Sequence, residues 1–145
     1  MTINKKELAI GKVEGFTLIE MLVVIAVVGF LSAAVLTALG PARNKAKDSR
    51  IISALNQARA VAETLYGGDY SALPSGVVVE TEPNFGRLAK DINSNQGELN
   101  INLAVDSSTY GAYSKLASDS SRYYCVDSAG NTEELDSAPA GPVCQ

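Results

Sequence analysis

The sequence predicts an α+β protein in which a long N-terminal helix packs on a small antiparallel β-sheet head. Three observations lead to this fold class. Nineteen residues without a charge run from Met21 to Leu39, apolar residues then recur at helical spacing up to Tyr66, and short segments of alternating polarity follow Gly67. A small sheet with one apolar face needs a covering layer, which the second half of the helix can supply.

Length and composition restrict the function. A chain of 145 residues corresponds to about one domain. The absence of His removes the commonest general base and the commonest metal ligand, which disfavours most hydrolytic and transition-metal chemistries. The sequence also has no phosphate-binding glycine loop and no metal-type Cys/His spacing, so we expect neither enzymatic activity nor a cofactor. Residues 67–145 contain eleven acidic and four basic side chains, a net charge of −7. Such a surface repels phosphate backbones, and no nucleic-acid partner is expected for it.

The uncharged run is long enough to cross a membrane. As a helix it would measure about 28 Å, close to the hydrocarbon thickness of a bilayer. A secretory signal peptide has an apolar core of roughly 7–15 residues, shorter than this one. A plain membrane anchor explains the length but not Glu20, because an ionised carboxylate in hydrocarbon costs several kcal/mol unless it is paired.

The residues at the start of the run are specific. Gly15-Phe16-Thr17-Leu18-Ile19-Glu20, followed by MLVVIAVVG, resembles the type IV prepilin signature almost letter for letter. The resemblance implies that a prepilin peptidase cuts after Gly15 on the cytoplasmic side. It also implies that Phe16 becomes the methylated N-terminus and that the apolar helix remains in the mature protein.

The same resemblance implies a role for Glu20 in assembly, as the partner of the Phe16 α-amine of a neighbouring subunit. Two other interpretations remain open. Phe16 and Glu20 lie four residues apart and share one helix face, so they could also pair within one chain. Glu20 could equally sit at the boundary of the membrane without a partner.

The resemblance implies a structural subunit of a type IV pilus-like filament. Its expected partners are other copies of itself or related subunits, prepilin peptidase, an assembly platform, and membrane lipid before assembly. The precursor is expected in the cytoplasmic membrane with its leader inside, and the filament outside that membrane. A pseudopilin of a type II secretion system is one alternative. A membrane-anchored binding domain that never polymerises is another.

The chain is expected to divide into four parts. Residues 1–15 form the cleaved leader and residues 16–40 the transmembrane or filament-core helix. An amphipathic helix follows in residues 41–66 and ends at Gly67-Gly68. The globular β head occupies residues 67–145.

Within the head, the pattern predicts short elements of both kinds. The expected elements are a strand at Val77–Val79, a helix at Asn84–Asn93, a strand carrying Leu99, Ile101, Leu103 and Val105, and a hairpin of Tyr110–Leu116 with Arg122–Val126. Residues 127–145 are rich in Ser, Asp and Gly and are expected to form a loop.

Two groups of residues in the tail are candidates for special chemistry. Cys125 and Cys144 are expected to pair if the head lies outside the cytoplasm. Hard oxygen ligands for calcium are supplied by Asp127, Asn131, Glu133, Glu134 and Asp136. Their spacing does not match an EF-hand and solvated acidic turns are common, so the calcium site is the minor alternative and no metal is expected.

Overall fold

A computed structural model describes residues 15–78, 80–96 and 100–145. Its elements are the helix α1 (Leu18–Thr64), the strand β1 (Gly76–Val77), the helix α2 (Gly86–Gln96) and the strands β2 (Asn102–Val105), β3 (Tyr110–Lys115), β4 (Tyr123–Asp127) and β5 (Thr132–Leu135). The predicted α+β fold class is confirmed. Contacts divide the chain into two compact units, one ending at Ala38 and the other running from Leu39 to Gln145.

The second unit contains one antiparallel sheet, in which each strand pairs with its neighbours in sequence in the order β1-β2-β3-β4-β5. Leu103, Ala112 and Val126 lie opposite one another across the three central strands and are buried. Because side chains alternate along a strand, the residues on either side of these three belong to the opposite face. The sheet therefore has an inner face in the core and an outer face directed away from it.

The inner face of the sheet shares one hydrophobic core with the two helices. The second-unit part of α1 contributes Ile51, Ala54, Leu55, Ala58 and Ala62, which recur at steps of three and four as the amphipathic pattern predicted. Helix α2 adds Ala89 and Ile92. Each fully buried Leu or Ile stabilises the fold by about 1.5–3 kcal/mol relative to exposure, so this face of α1 fixes the helix on the sheet.

Two acidic side chains of α1 connect the helix to the sheet layer. Glu63 accepts hydrogen bonds from the hydroxyls of Tyr70 and Tyr110, the latter at 2.9 Å. Burial, followed by the bond to Glu63, raises the pKa of Tyr110 above its usual range, so this hydroxyl remains a donor. Asp48 lies just before the first buried residue of α1, Ile51. Its Oδ1 atom accepts hydrogen bonds from the backbone N–H groups of Ala117 and Ser118 at 2.6 and 3.1 Å.

The expectation that residues 127–145 form a loop is wrong for β5. The Asp127–Asn131 turn reverses the chain, with Gly130 at a φ of 93°, and Thr132–Leu135 then pairs with β4. The segment Thr-Glu-Glu-Leu has no alternation of polarity because most of it is exposed at the edge of the sheet. Charged side chains are typical of edge strands, where they discourage pairing with other chains.

The remaining element boundaries differ from the predictions by a few residues. Helix α2 begins and ends later than the predicted Asn84–Asn93, and β1 begins one residue before Val77. Strand β2 begins at Asn102, although Ile101 is buried and its carbonyl accepts the N–H of Val78. The predicted strand residues Val79 and Leu99 lie outside the described residues.

Candidate functional site

The first turn of α1 contains a reciprocal hydrogen-bonded cap. The backbone N–H and the hydroxyl of Thr17 both donate to Glu20 Oε2, at 2.7 and 2.8 Å. The Glu20 N–H is 3.3 Å from Thr17 Oγ1, which accepts it. This is a capping box, in which the residue before the helix and the third helical residue each satisfy a backbone donor of the other. It explains why α1 begins at Leu18.

This cap was not predicted from the sequence, although a Thr followed three residues later by a Glu is the sequence signature of a capping box. It gives Glu20 a partner inside its own chain that is different from the Phe16 amine. Removing an N-cap side chain costs about 1 kcal/mol, whereas a carboxylate at the centre of a bilayer costs roughly 3 kcal/mol on insertion scales. The cap therefore lowers the cost of the charge without cancelling it.

Gly15 and Phe16 precede the cap and are not constrained by the rest of the described chain. A Cβ atom built on Gly15 would meet no atom within 4 Å, and its φ is not in the left-handed region. The Phe16 side chain is 78% exposed. Neither the packing nor the backbone conformation of the described residues requires these two residue types, so their identity calls for another explanation.

The part of α1 in the first unit is apolar around its whole circumference. Its large side chains are exposed, among them Leu22, Val23, Ile25, Val28, Phe30, Leu31, Val35 and Leu36. The helix is long and apolar enough to cross a membrane. Exposed apolar surface on this scale requires lipid or protein to cover it.

Gly29 lies within this apolar stretch. A Cβ atom at Gly29 would meet nothing within 4 Å, and Gly in a helix costs about 1 kcal/mol relative to Ala. Nothing in the described chain compensates for that cost. A small residue on an apolar helix is typical of surfaces where another helix approaches closely.

At the other end of the chain, two bonds hold the C-terminus against the outer face of the sheet. Cys125 of β4 forms a disulfide with Cys144. Asp127 is 1% exposed, and its carboxylate accepts the Cys144 N–H at 3.2 Å. It also accepts the backbone and side-chain N–H groups of Asn131 at 2.8 and 3.0 Å. The tail passes so close to Gly111 of β3 that a Cβ atom there would lie 2.9 Å from the Pro142 carbonyl oxygen.

Asp127→Asn should destabilise the head at neutral pH, by about 1–3 kcal/mol, because the amide cannot accept all three hydrogen bonds. Burial alone would raise the pKa of Asp127, but the bonds from Asn131 and Cys144 outweigh it and leave the pKa lowered. A lowered folded-state pKa gives stability that is present above the unfolded value of about 3.9 and is lost as pH falls through the folded value.

Urea unfolding of both proteins from pH 7 down to about pH 3 measures this effect. The stability difference between wild type and Asp127→Asn should shrink as the pH falls below about 4. Glu133→Gln, which alters an exposed acid of β5, is the control and should change stability little at any pH. A difference for Asp127→Asn that stays constant over the whole range would contradict the ionised, hydrogen-bonded carboxylate.

The residues of the possible calcium site do not converge on a common point. The Asn131 side-chain amide donates a hydrogen bond to the Asp127 carboxylate, so these two groups bind each other. Asp136 and Glu134 face Arg122 at 3.7 and 3.2 Å, and Glu133 is exposed. In the described ranges no cluster of three or more His, Cys, Asp or Glu side chains is placed to hold a metal ion.

Comparison with known proteins identifies the N-terminal segment. The family model of the prokaryotic N-terminal methylation motif matches residues 11–36. This motif is the prepilin signature of type IV pilins and pseudopilins, which are structural proteins, so the resemblance drawn from the sequence is confirmed. The motif and the apolar helix fit a membrane-anchored precursor. No curated protein and no solved structure matches the chain.

Proposed function

We propose that this chain is the precursor of a structural subunit of a type IV pilus-like filament. Prepilin peptidase removes residues 1–15, Phe16 becomes the methylated N-terminus, and the subunit assembles through its N-terminal helix. The observation that carries the proposal is the methylation motif at residues 11–36, which covers the start of α1, where the apolar side chains of the first unit are exposed.

The surroundings of Gly15 support cleavage at that residue. Gly15 has no conformational or packing role in the described chain, since a side chain there would meet nothing. A peptidase that must bring its catalytic groups close to the backbone has a reason to select glycine, because glycine leaves the peptide bond unshielded. The open position of Phe16 next to it leaves the new N-terminus accessible for methylation.

Assembly gives the exposed helix the cover that it lacks. Before assembly, lipid surrounds the apolar side chains, and in the filament the helices of neighbouring subunits replace it. Gly29 allows one such helix to approach closely. Glu20 meets the Phe16 α-amine of a neighbour, which pairs two charges that would otherwise be costly in an apolar environment. An assembly platform extracts the subunits from the cytoplasmic membrane into the extracellular or periplasmic filament.

Intact mass measurement and N-terminal sequencing test the cleavage. In cells that contain prepilin peptidase, the mature chain should begin at Phe16 and carry one added methyl group. A start near residues 34–41 would indicate an ordinary signal peptide, and a chain that still begins at Met1 would indicate an uncleaved anchor. Either result would overturn the proposed processing.

Gly15→Val should leave the precursor uncleaved, because a branched side chain shields the peptide bond that the peptidase attacks. The folded head should be unaffected, since nothing packs on Gly15. Gly29→Val is the matched control, because it adds the same side chain at another glycine whose Cβ atom would meet nothing, and it should be cleaved normally. Normal cleavage of Gly15→Val would contradict processing at this site.

A further inference from the structure

The outer face of the sheet carries a cleft that the filament proposal does not use. We call it the outer cleft; its volume is about 280 Å³, and it is lined by Val77, Asn100, Asn102, Tyr113, Lys115, Tyr123 and Ala138. The strand register explains the grouping. Tyr113 lies opposite Asn102 on β2, and Lys115 lies opposite Tyr123 on β4. Their side chains therefore share the face directed away from the core.

The aromatic rings form the walls of the outer cleft. The Tyr113 and Tyr123 rings are 6.2 Å apart at 62°, and the Lys115 ammonium lies 5.7 Å from the centre of the Tyr123 ring. Ala138 belongs to the C-terminal tail, which the disulfide and Asp127 hold in place. The cleft is thus built from the sheet on one side and, on another, from the tail that the disulfide anchors at Cys144.

The tyrosine hydroxyls of the outer cleft differ from those of the core in their hydrogen-bond partners. The hydroxyls of Tyr70 and Tyr110 are both bound to Glu63. Those of Tyr113 and Tyr123 bind no other side chain or backbone group in the part of the chain that the structure describes. Among the described residues that line the cleft, Lys115 is the one that carries a charge. The site therefore offers two rings, hydroxyl and amide groups, and a positive charge.

We propose that the outer cleft binds a single sugar ring that carries a carboxylate, as in a uronic acid. The apolar face of a pyranose can lie against a tyrosine ring, while its hydroxyls exchange hydrogen bonds with amide and phenol groups. The carboxylate pairs with Lys115. Ligand pockets usually measure roughly 300–1,000 Å³, so a cleft of about 280 Å³ lies at the lower end of that range and has room for one sugar ring.

The acidic character of the head does not prevent this binding. Charges separated by more than about 8 Å are largely screened at physiological salt, and the described residues that line the cleft include no acidic residue. A ligand carboxylate in the cleft therefore meets the Lys115 ammonium directly. This inference concerns the head alone and does not depend on polymerisation.

Titration of the ¹⁵N-labelled mature chain in detergent micelles tests the proposal. Methyl glucuronide should shift the amide signals of Tyr113, Lys115 and Tyr123 in a saturable manner. Methyl glucoside, which lacks the carboxylate, should bind about fivefold more weakly, as expected for one exposed ion pair. The absence of saturable shifts, or equal affinity for the two sugars, would overturn the proposal.

Two variants separate the ion pair with Lys115 from the contact of the sugar with the Tyr113 ring. Lys115→Gln should weaken methyl glucuronide binding about fivefold and leave methyl glucoside unchanged, and Tyr113→Ala should weaken both. Lys45→Gln removes an exposed lysine that does not line the cleft and should have no effect. Saturation by a short glutamate-rich peptide and by neither sugar would show a docking site for acidic protein, which would also overturn the proposal.

Discussion

Glu20→Gln should abolish filaments while leaving cleavage after Gly15 and the start of α1 intact. Glutamine at the third helical position still completes a capping box, so the substitution removes the charge and keeps the cap seen between Thr17 and Glu20. In the proposed filament it leaves the Phe16 amine of a neighbour without its counter-charge. An unpaired charge in an apolar environment costs roughly 3 kcal/mol, or about a hundredfold in each subunit contact.

The measurement compares sheared filaments with the mature subunit that remains in the membrane, by immunoblot and electron microscopy, after mass spectrometry has confirmed the start at Phe16. Thr17→Val is the matched control, because it removes the hydroxyl from the cap and keeps the charge. It should reduce filament yield only modestly, in line with a cap worth about 1 kcal/mol. Normal filaments from Glu20→Gln would contradict the ion pair, and a membrane anchor that never polymerises would show no filaments in any variant.

The comparison of these two variants matters because the sequence supports two roles for Glu20, and only one of them was predicted. The position of a carboxylate at the start of an apolar run predicts an unusual electrostatic role, since hydrocarbon penalises the charge. The capping role depends on Glu20 and Thr17 and is a local backbone effect. The cost of a charge in a membrane gives no indication of it. The three-residue spacing of Thr17 and Glu20 predicts the cap, and the position of Glu20 at the start of the apolar run predicts the electrostatic role.

Elements with strong periodicity could be predicted because burial on one face determines them. The buried positions from Ile51 to Ala62 and the alternation through Leu103 both follow from contact with one core. Strand β5 could not be predicted in this way, because its residues are exposed at the edge of the sheet and its pairing with β4 follows from the Asp127–Asn131 turn. That turn depends on a buried carboxylate, whose burial no local pattern reveals.

The outer cleft escaped prediction for a related reason. Tyr113 and Tyr123 lie on strands whose existence the sequence indicated, but their proximity depends on the register of the hairpin. A shift of one residue would move each side chain to the other face of the sheet. Composition alone therefore could not show that two rings, an ammonium group and a fixed tail segment would border one cleft.

Cys125→Ser with Cys144→Ser should lower the stability of the head by about 3 kcal/mol, the second large effect that the structure predicts. The disulfide closes a loop with a sequence separation of 19 residues, and cross-links of this size restrict the unfolded chain by about that amount. For a head of this size the loss corresponds to a decrease in Tm of roughly 10–20 °C. Thermal unfolding of the mature chain in detergent, followed by circular dichroism, measures it.

Reductant distinguishes the covalent bond from the packing of the two side chains. Wild type with reductant should unfold at nearly the same temperature as the double variant, and reductant should not change the variant. The hydrogen bond from Cys144 to Asp127 and the contact between Gly111 and Pro142 do not require the disulfide. They should therefore hold the tail near β4 in the folded double variant. If the double variant were as stable as oxidised wild type, these contacts alone would hold the tail, and the cross-link would have no measurable effect on the fold.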